Sequence, residues 1–226
     1  MREILGRRRM TRSTLRNAAL TCATHRRWPV LPGASVRSGD GSPHLSCSCA
    51  DPECVVPGAH PLDPVLLAAT TDARMVRWWW TRRPDASLLL ATGTAVDGRR
   101  APCALSVPAT AGASALARFD RLGVRLGPVV ATPTRYALLV EPYELAELGE
   151  ILYAQDRVPS SLRFHGDGGY VVLPPSPVVT GGVRWERPPQ DDAEQGTPWL
   201  PRMEDLLETL IEASVDAPDS GSRLAY

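Results

Sequence analysis

The sequence contains no lysine: all 25 of its basic residues are arginine. Usage this one-sided reads as the codon composition of a GC-rich genome and hints at a bacterial source. A phosphate-binding loop of the GxxxxGK type is therefore absent, and so are a GxGxxG dinucleotide fingerprint and a GxSxG nucleophile turn. No apolar run approaches the length that crosses a bilayer, and the basic opening segment lacks the continuous apolar stretch of a secretory signal. The expectation is a cytoplasmic protein with no membrane partner. The formal net charge is zero, so the molecule as a whole lacks the basic excess that drives sequence-independent nucleic-acid binding by counterion release.

Charge is nevertheless segregated along the chain. Residues 1–30 hold eight arginines against Glu3, whereas residues 186–226 hold ten acids against Arg187, Arg202 and Arg223. The two ends read as solvated segments of opposite sign, with a basic arm for phosphates as the sharper alternative. A length of 226 residues favours one domain with extensions. The expected division is a basic extension at 1–14, a domain at 15–190, and an acidic linker with a C-terminal helix at 191–226. The 22 prolines and 18 glycines imply many turns and short elements.

Helical spacing of Leu15, Ala18, Ala19, Cys22 and Ala23 predicts a first helix over 11–27, followed by a short strand at Trp28–Leu31. Residues 35–64 show no period and read as a long loop that something must order. Asp72 caps a helix running to about Arg82, a strand follows at Ser87–Ala91, and Gly93 ends it. Cys103–Val107 is a strand, Ala109–Leu122 a helix stopped by Gly123, and 129–131 with 136–140 a hairpin. Pro142 starts a further helix through Leu145, Leu148, Ile151 and Leu152. Residues 162–164 and 170–173, flanking Gly166–Gly169, carry a second hairpin signal, and Met203–Ala213 a last helix. Crossovers mixed with hairpins predict an α+β fold, helices packed on a mixed sheet.

The sharpest local signal lies between residues 44 and 61, where three of the five cysteines and two of the four histidines fall in an otherwise structureless loop. Zinc takes four tetrahedral sulfur and nitrogen ligands and can order a loop too small to fold by itself. Cys47, Cys49, Cys54 and His60 supply such a set, with His44 as a competing fourth ligand. Four protein ligands leave no open position for water, so the site would be structural. A chance cluster of reduced thiols is the plainer alternative, and a disulfide is disfavoured in the cytoplasm. In Trp78-Trp79-Trp80, at most two indoles can share a buried helix face, so the run reads as core plus an exposed edge rather than a base-stacking platform.

Together these pieces form a recognisable series: Arg27-Trp28-Pro29-Val30, the Cys/His loop ending Gly58-Ala59-His60-Pro61, Ala69-Thr70-Thr71-Asp72 with Trp78-Trp79, then Ala91-Thr92-Gly93. Gly169-Tyr170-Val171-Val172 with Leu173-Pro174-Pro175-Ser176 and Trp185 follow later. In order and spacing, over about residues 15–190, this resembles the N-terminal domain of bifunctional DNA primase/polymerases, of the archaeo-eukaryotic primase superfamily. The resemblance implies a primase/polymerase fold built around an RNA-recognition-like sheet, a role in DNA replication, and Mg2+ or Mn2+ if the domain is active. One departure is Ala59, where the family commonly has lysine.

Further departures fall on the chemistry. Active members carry two aspartates separated by one residue on the strand after the Ala-Thr-Gly turn, because two-metal nucleotidyl transfer needs carboxylates to hold its ions. Here Ser106 and Pro108 stand at those positions, Tyr136 stands for the nucleotide-contacting histidine, and Ser161 for the third acid. Asp97 and Asp167 sit in glycine-containing turns, where aspartate has a local reason to occur. Arg135, Arg163 and His165 remain in the inferred cleft and could grip phosphate. The expectation is a catalytically inactive domain that binds nucleic acid such as single-stranded DNA, nucleotide, or a replication partner. A zinc-stapled protein-interaction module and an active primase/polymerase with unrecognised carboxylates are the alternatives.

Overall fold

The computed structural model describes residues 13–38, 45–179, 181–190 and 197–216. Most of the basic extension, His44 and the acidic stretch at 191–196 lie outside them. The elements are mixed α+β, and they divide into two compact units where chain length suggested one domain. The first comprises Met1–Ala91 and Val172–Arg184, the second Thr92–Val171 and Trp185–Tyr226.

In the first unit, helix α1 (residues 13–20) runs into a wider π turn at Thr21–His25. It ends where Trp28 N donates to Cys22 O, with Arg27 at a positive φ of 58°. Strand β1 (Val30–Ser38) pairs antiparallel with β2 (Leu45–Cys47) and with β3 (Ala86–Thr92). The sheet order is β10-β3-β1-β2, where β10 is Gly169–Leu173. Every residue of β3 is buried, Ser87 and Thr92 included, around the apolar run Leu88–Ala91. The loop expected over 35–64 thus begins as a hairpin arm, since Ala34 through Ser38 carry no alternation that would have marked a strand.

Helix α2 (Ala73–Arg82) packs on β1 and is capped by Asp72, whose carboxylate accepts from Arg74 N and Met75 N at 2.6 and 2.9 Å. Val76, Trp79 and Trp80 turn inward, and Trp80 Nε1 donates to Ala86 O at 3.1 Å. Trp78 stays 54% exposed, so the tryptophan run is core plus an open edge. Beyond β10, the short pair β11 (Pro177–Val178) and β12 (Gly181–Gly182) closes the unit. Ser176 Oγ accepts there from Leu88 N at 2.7 Å.

In the second unit, the small ribbon β4 (Ala95–Val96) and β5 (Arg99–Arg100) leads into β6 (Cys103–Pro108) and helix α3 (Ala109–Leu122), which stops at Gly123 as expected. β7 (Val129–Ala131) and β8 (Arg135–Val140) form the predicted hairpin. With β9 (Arg163–His165) and β13 (Arg184–Arg187) the sheet order is β13-β7-β8-β6-β9. The second predicted hairpin is not one: β9 pairs with β6, whereas β10 belongs to the other sheet, although Gly169 N still closes the turn onto Gly166 O. A tight turn fixes the direction change but not the pairing partner. Helix α4 (Leu145–Tyr153) begins at a capping box of Glu144 and Glu147, two residues past Pro142.

The core of this unit lies between one sheet face and α3 with α5 (Glu204–Asp216). Cys103, Leu105, Val107, Tyr136 and Leu138 meet Leu116, Phe119, Leu206, Leu207 and Leu210. The C-terminal helix, read from sequence as lying beyond a linker, therefore contributes to the core of the second unit. Leu210→Ala removes a fully buried side chain and should destabilise the protein by about 2–5 kcal/mol. Urea unfolding followed by circular dichroism measures this, and a near-zero change would mean α5 is only loosely attached.

Candidate metal centre and candidate active face

The Cys/His loop of the first unit is anchored at both ends to β1. Cys47 pairs with Val36, Ser48 N donates to Ser35 O at 2.9 Å, and Ala34 N donates to His60 O at 2.9 Å. Between them Gly58 holds φ at +80°, where a Cβ would also lie 2.6 Å from Val36 Cγ2, so only glycine serves there. The three thiol sulfurs of Cys47, Cys49 and Cys54 and one ring nitrogen of His60 all lie within 4.8 Å of one another.

His60 Nε2 stands 3.3 Å from Cys47 Sγ and 3.4 Å from Cys54 Sγ. Around a tetrahedral ion, bonds of about 2.3 Å to sulfur and 2.05 Å to nitrogen place those atoms roughly 3.5 Å apart, so the donor set fits one ion. His60 Nδ1 lies 2.8 Å from Pro61 O, a pure acceptor, so the ring proton sits on Nδ1 and the Nε2 lone pair faces the sulfurs.

The thiols are electrostatically uneven. Burial raises Cys47, but the amides of Cys49 and Gly58 with the His60 ring and the Cys49 thiol outweigh it and bring the group down to about 6. Burial pushes Cys54 up to about 12, relieved in part by the Val56 amide and reinforced by its sulfur neighbours. The Cys47 thiolate is thus ready at neutral pH, whereas Cys54 is held protonated until a cation arrives. All four residues picked from the sequence meet here, and His44 lies outside the described residues. Among the described residues this is the one group of three or more Cys, His, Asp or Glu side chains able to share an ion.

The second cluster lies on the β6–β8–β9 sheet. Pleating sends Cys103, Leu105 and Val107 to the helix-covered core and puts Ser106 on the other face. There Ser106 Oγ lies 2.9 Å from His165 Nε2 on β9. Arg135, from β8, extends beneath them: its NH2 nitrogen donates to Ser106 O at 2.8 Å, to Ser106 Oγ at 3.2 Å and to Ser161 O at 2.7 Å. Ser106 and Ser161 are both 4% exposed.

Four sequence-selected residues, Ser106, Arg135, Ser161 and His165, are therefore joined by hydrogen bonds. Tyr136 does not join them. One residue along β8 from Arg135, it faces the helices, its ring against Gly112 and its hydroxyl 3.4 Å from Glu186 Oε2. Pro108, at the edge of β6, is paired in register with Arg135. Arg163 on β9 is paired with Ser106, and its charge is felt by His165. The sequence suggested Arg135 as a phosphate grip; in the structure its NH2 nitrogen is directed at protein oxygens. The alternation of β8 could have separated Arg135 from Tyr136, but nothing local announces that a guanidinium will be held by two backbone carbonyls.

Desolvation, with the positive charges of Arg135 and Arg163, pushes His165 down to about 4, so the ring is neutral at physiological pH. Asp167 accepts from the Gly168 amide in the adjoining turn, a local role of the kind its setting suggested.

A model of the family described as bifunctional DNA primase/polymerase, N-terminal, matches residues 19–202. No curated protein and no solved structure matches the chain.

Purified protein should carry about one thiophilic metal ion per chain, lost in Cys54→Ser and in His60→Ala, as read by elemental analysis. His165 takes up its proton in the unfolded chain near 6.5 but in the folded protein only near 4. Its share of stability is complete above the unfolded value and declines as pH falls through this window. His165→Gln should flatten that part of the stability-against-pH curve, and equal slopes for the two proteins would refute the assignment.

Proposed function

Because the chain belongs to the bifunctional DNA primase/polymerase N-terminal family, we propose that it is a primase/polymerase-like domain that has given up nucleotidyl transfer and serves DNA replication by binding. The ligands this reading favours are single-stranded DNA and nucleotides. It places the protein in the cytoplasm, and no helix among the described residues is long and apolar enough to cross a membrane.

The observation that carries the reading is the Arg135 guanidinium held by Ser106 and Ser161. Two-metal transfer needs carboxylates to gather divalent ions beside the attacking hydroxyl and the triphosphate. At these positions the chain offers serine hydroxyls and backbone carbonyls instead, weak ligands for Mg2+ or Mn2+, and a fixed cation lies among them. Such an arrangement can favour an anion by charge, but it has no way to activate a hydroxyl. Arg163 supplies a second guanidinium and His165 a neutral ring able to hydrogen-bond a phosphate. On the same reading the Cys47, Cys49, Cys54 and His60 set holds structural Zn2+, whose part is to keep the loop on β1 in shape.

A template-dependent incorporation assay with Mg2+ and with Mn2+, run beside binding of labelled single-stranded DNA, tests the proposal. The expected outcome is no incorporation and salt-sensitive binding that weakens several-fold in Arg163→Ala, with thermal stability retained. Incorporation that disappears on replacing Asp97 or Asp167 by Asn would overturn it and reveal working carboxylates.

A further inference from the structure

Helix α2 keeps one side out of the core, and that side carries a single sign of charge. At about 100° per residue, Arg77, Thr81, Arg74, Trp78, Arg82 and Met75 fall on one contiguous arc, while Val76, Trp79 and Trp80 fall on the other. Burial follows that division: the second set is buried, whereas Trp78 is 54% and Met75 45% exposed. The three arginines of the arc are exposed, and none of them enters an ion pair among the described residues. The arc itself holds no carboxylate. Asp72, at its N-terminal edge, turns its carboxylate to the Arg74 and Met75 amides, and the Thr81 hydroxyl donates to Arg77 O at 2.7 Å.

Arg74, Trp78 and Arg82 follow one another at four-residue steps, so the tryptophan stands midway, about 6 Å along the axis from each arginine. The Arg82 guanidinium lies 5.8 Å from the Trp78 ring centre, and a shallow concavity lined by Arg74, Met75 and Trp78 opens beside it. A nucleic-acid strand repeats the complementary order, a planar base with a phosphate on each side. Unpaired bases stack on exposed aromatic rings whatever their identity, and guanidiniums grip the phosphates.

We propose that this arc of α2 is a contact surface for single-stranded DNA, with one base stacked on Trp78 and its flanking phosphates on Arg74, Arg77 and Arg82. Trp79 and Trp80 are buried, so the surface offers one ring and not a platform of three. The proposal rests on the single-strand binding inferred above and adds to it a second surface, on the first unit. Because the chain as a whole is neutral, its attraction for a polyanion has to come from a local surplus such as this one.

Other occupants use less of the arc. A duplex keeps its bases paired and stacked on one another, which leaves the indole nothing to meet. An acidic peptide satisfies the arginines and ignores the ring between them. A lipid surface takes up the broad apolar face of a helix, and in α2 that face, Val76, Trp79 and Trp80, is already committed to the core.

Fluorescence anisotropy of a labelled oligo-dT with the full chain, titrated across salt and read beside the protein's own tryptophan emission, tests this. Binding should quench the emission, and Trp78→Ala should abolish most of the quenching and weaken binding about tenfold, with Trp78→Phe recovering most of the affinity. Arg74→Ala and Arg77→Ala should each reduce the slope of log affinity against log salt by about 0.7. These side chains are exposed, so thermal unfolding should be unchanged in every variant. If oligo-dT is not bound at all, the single-strand reading of the whole protein falls together with this proposal. Binding that depends on Arg163 but ignores Trp78, Arg74 and Arg77 overturns this proposal alone. So does equal affinity for a duplex of the same length, for a polyglutamate peptide or for anionic vesicles.

Discussion

In β6 the alternation of a single strand decides what the second unit can do. Cys103, Leu105 and Val107 face α3 and α5 and are held there by the apolar area they bury. That commitment forces Ser106 to the opposite side, since a strand offers no third direction. A register slip of one residue would expose three core side chains to release one serine, so the hydrophobic face fixes the polar one. The same logic runs through β8, where Tyr136 and Leu138 are claimed by the helices and Arg135 is left to the Ser106 face.

What gathers on that face is a polar arrangement with few degrees of freedom. Burying a guanidinium is costly unless its donors are met, and Ser106 and Ser161 meet those of the Arg135 NH2 nitrogen with two carbonyls and a hydroxyl. The neutral His165 follows from its neighbours: a ring beside two guanidiniums in a desolvated setting gives up its proton easily. These charges and hydrogen bonds support one another, so the chemistry of the face is best seen as a unit and not as separate residues.

Much of this was legible beforehand, for identifiable reasons. The Cys/His centre could be named because metal ligands cluster in sequence when a loop folds around one ion, and all four chosen side chains converge. α2, α3 and the β7–β8 hairpin carry caps, stops and periods that local physics writes directly. The partners of β9 and β10 were not legible, because pairing is decided by distant strands; the turn between them looks the same either way. The β1–β2 arm was hidden in a segment rich in Ser and Gly, where pairing with an existing strand supplies the order that composition does not. Motif position gives Tyr136 no side of the strand, and the pleat turns it to the helices. Sequence lists the donors of Arg135 and says nothing of where their acceptors lie.

The thiol centre has a consequence for how the protein ages. Its three sulfurs sit close together, one of them largely ionised at neutral pH, on a partly exposed surface. A thiolate of that kind is the form that oxidants attack, and a neighbouring sulfur stands ready to resolve the product into a disulfide. Such a bond would take two of the four candidate ligands at once from the segment whose ends are tied to Ala34 and Val36 of β1. If the four side chains hold one ion, the order of this loop would depend on a reducing thiol pool, and oxidation would act on it as a covalent, thiol-reversible lesion.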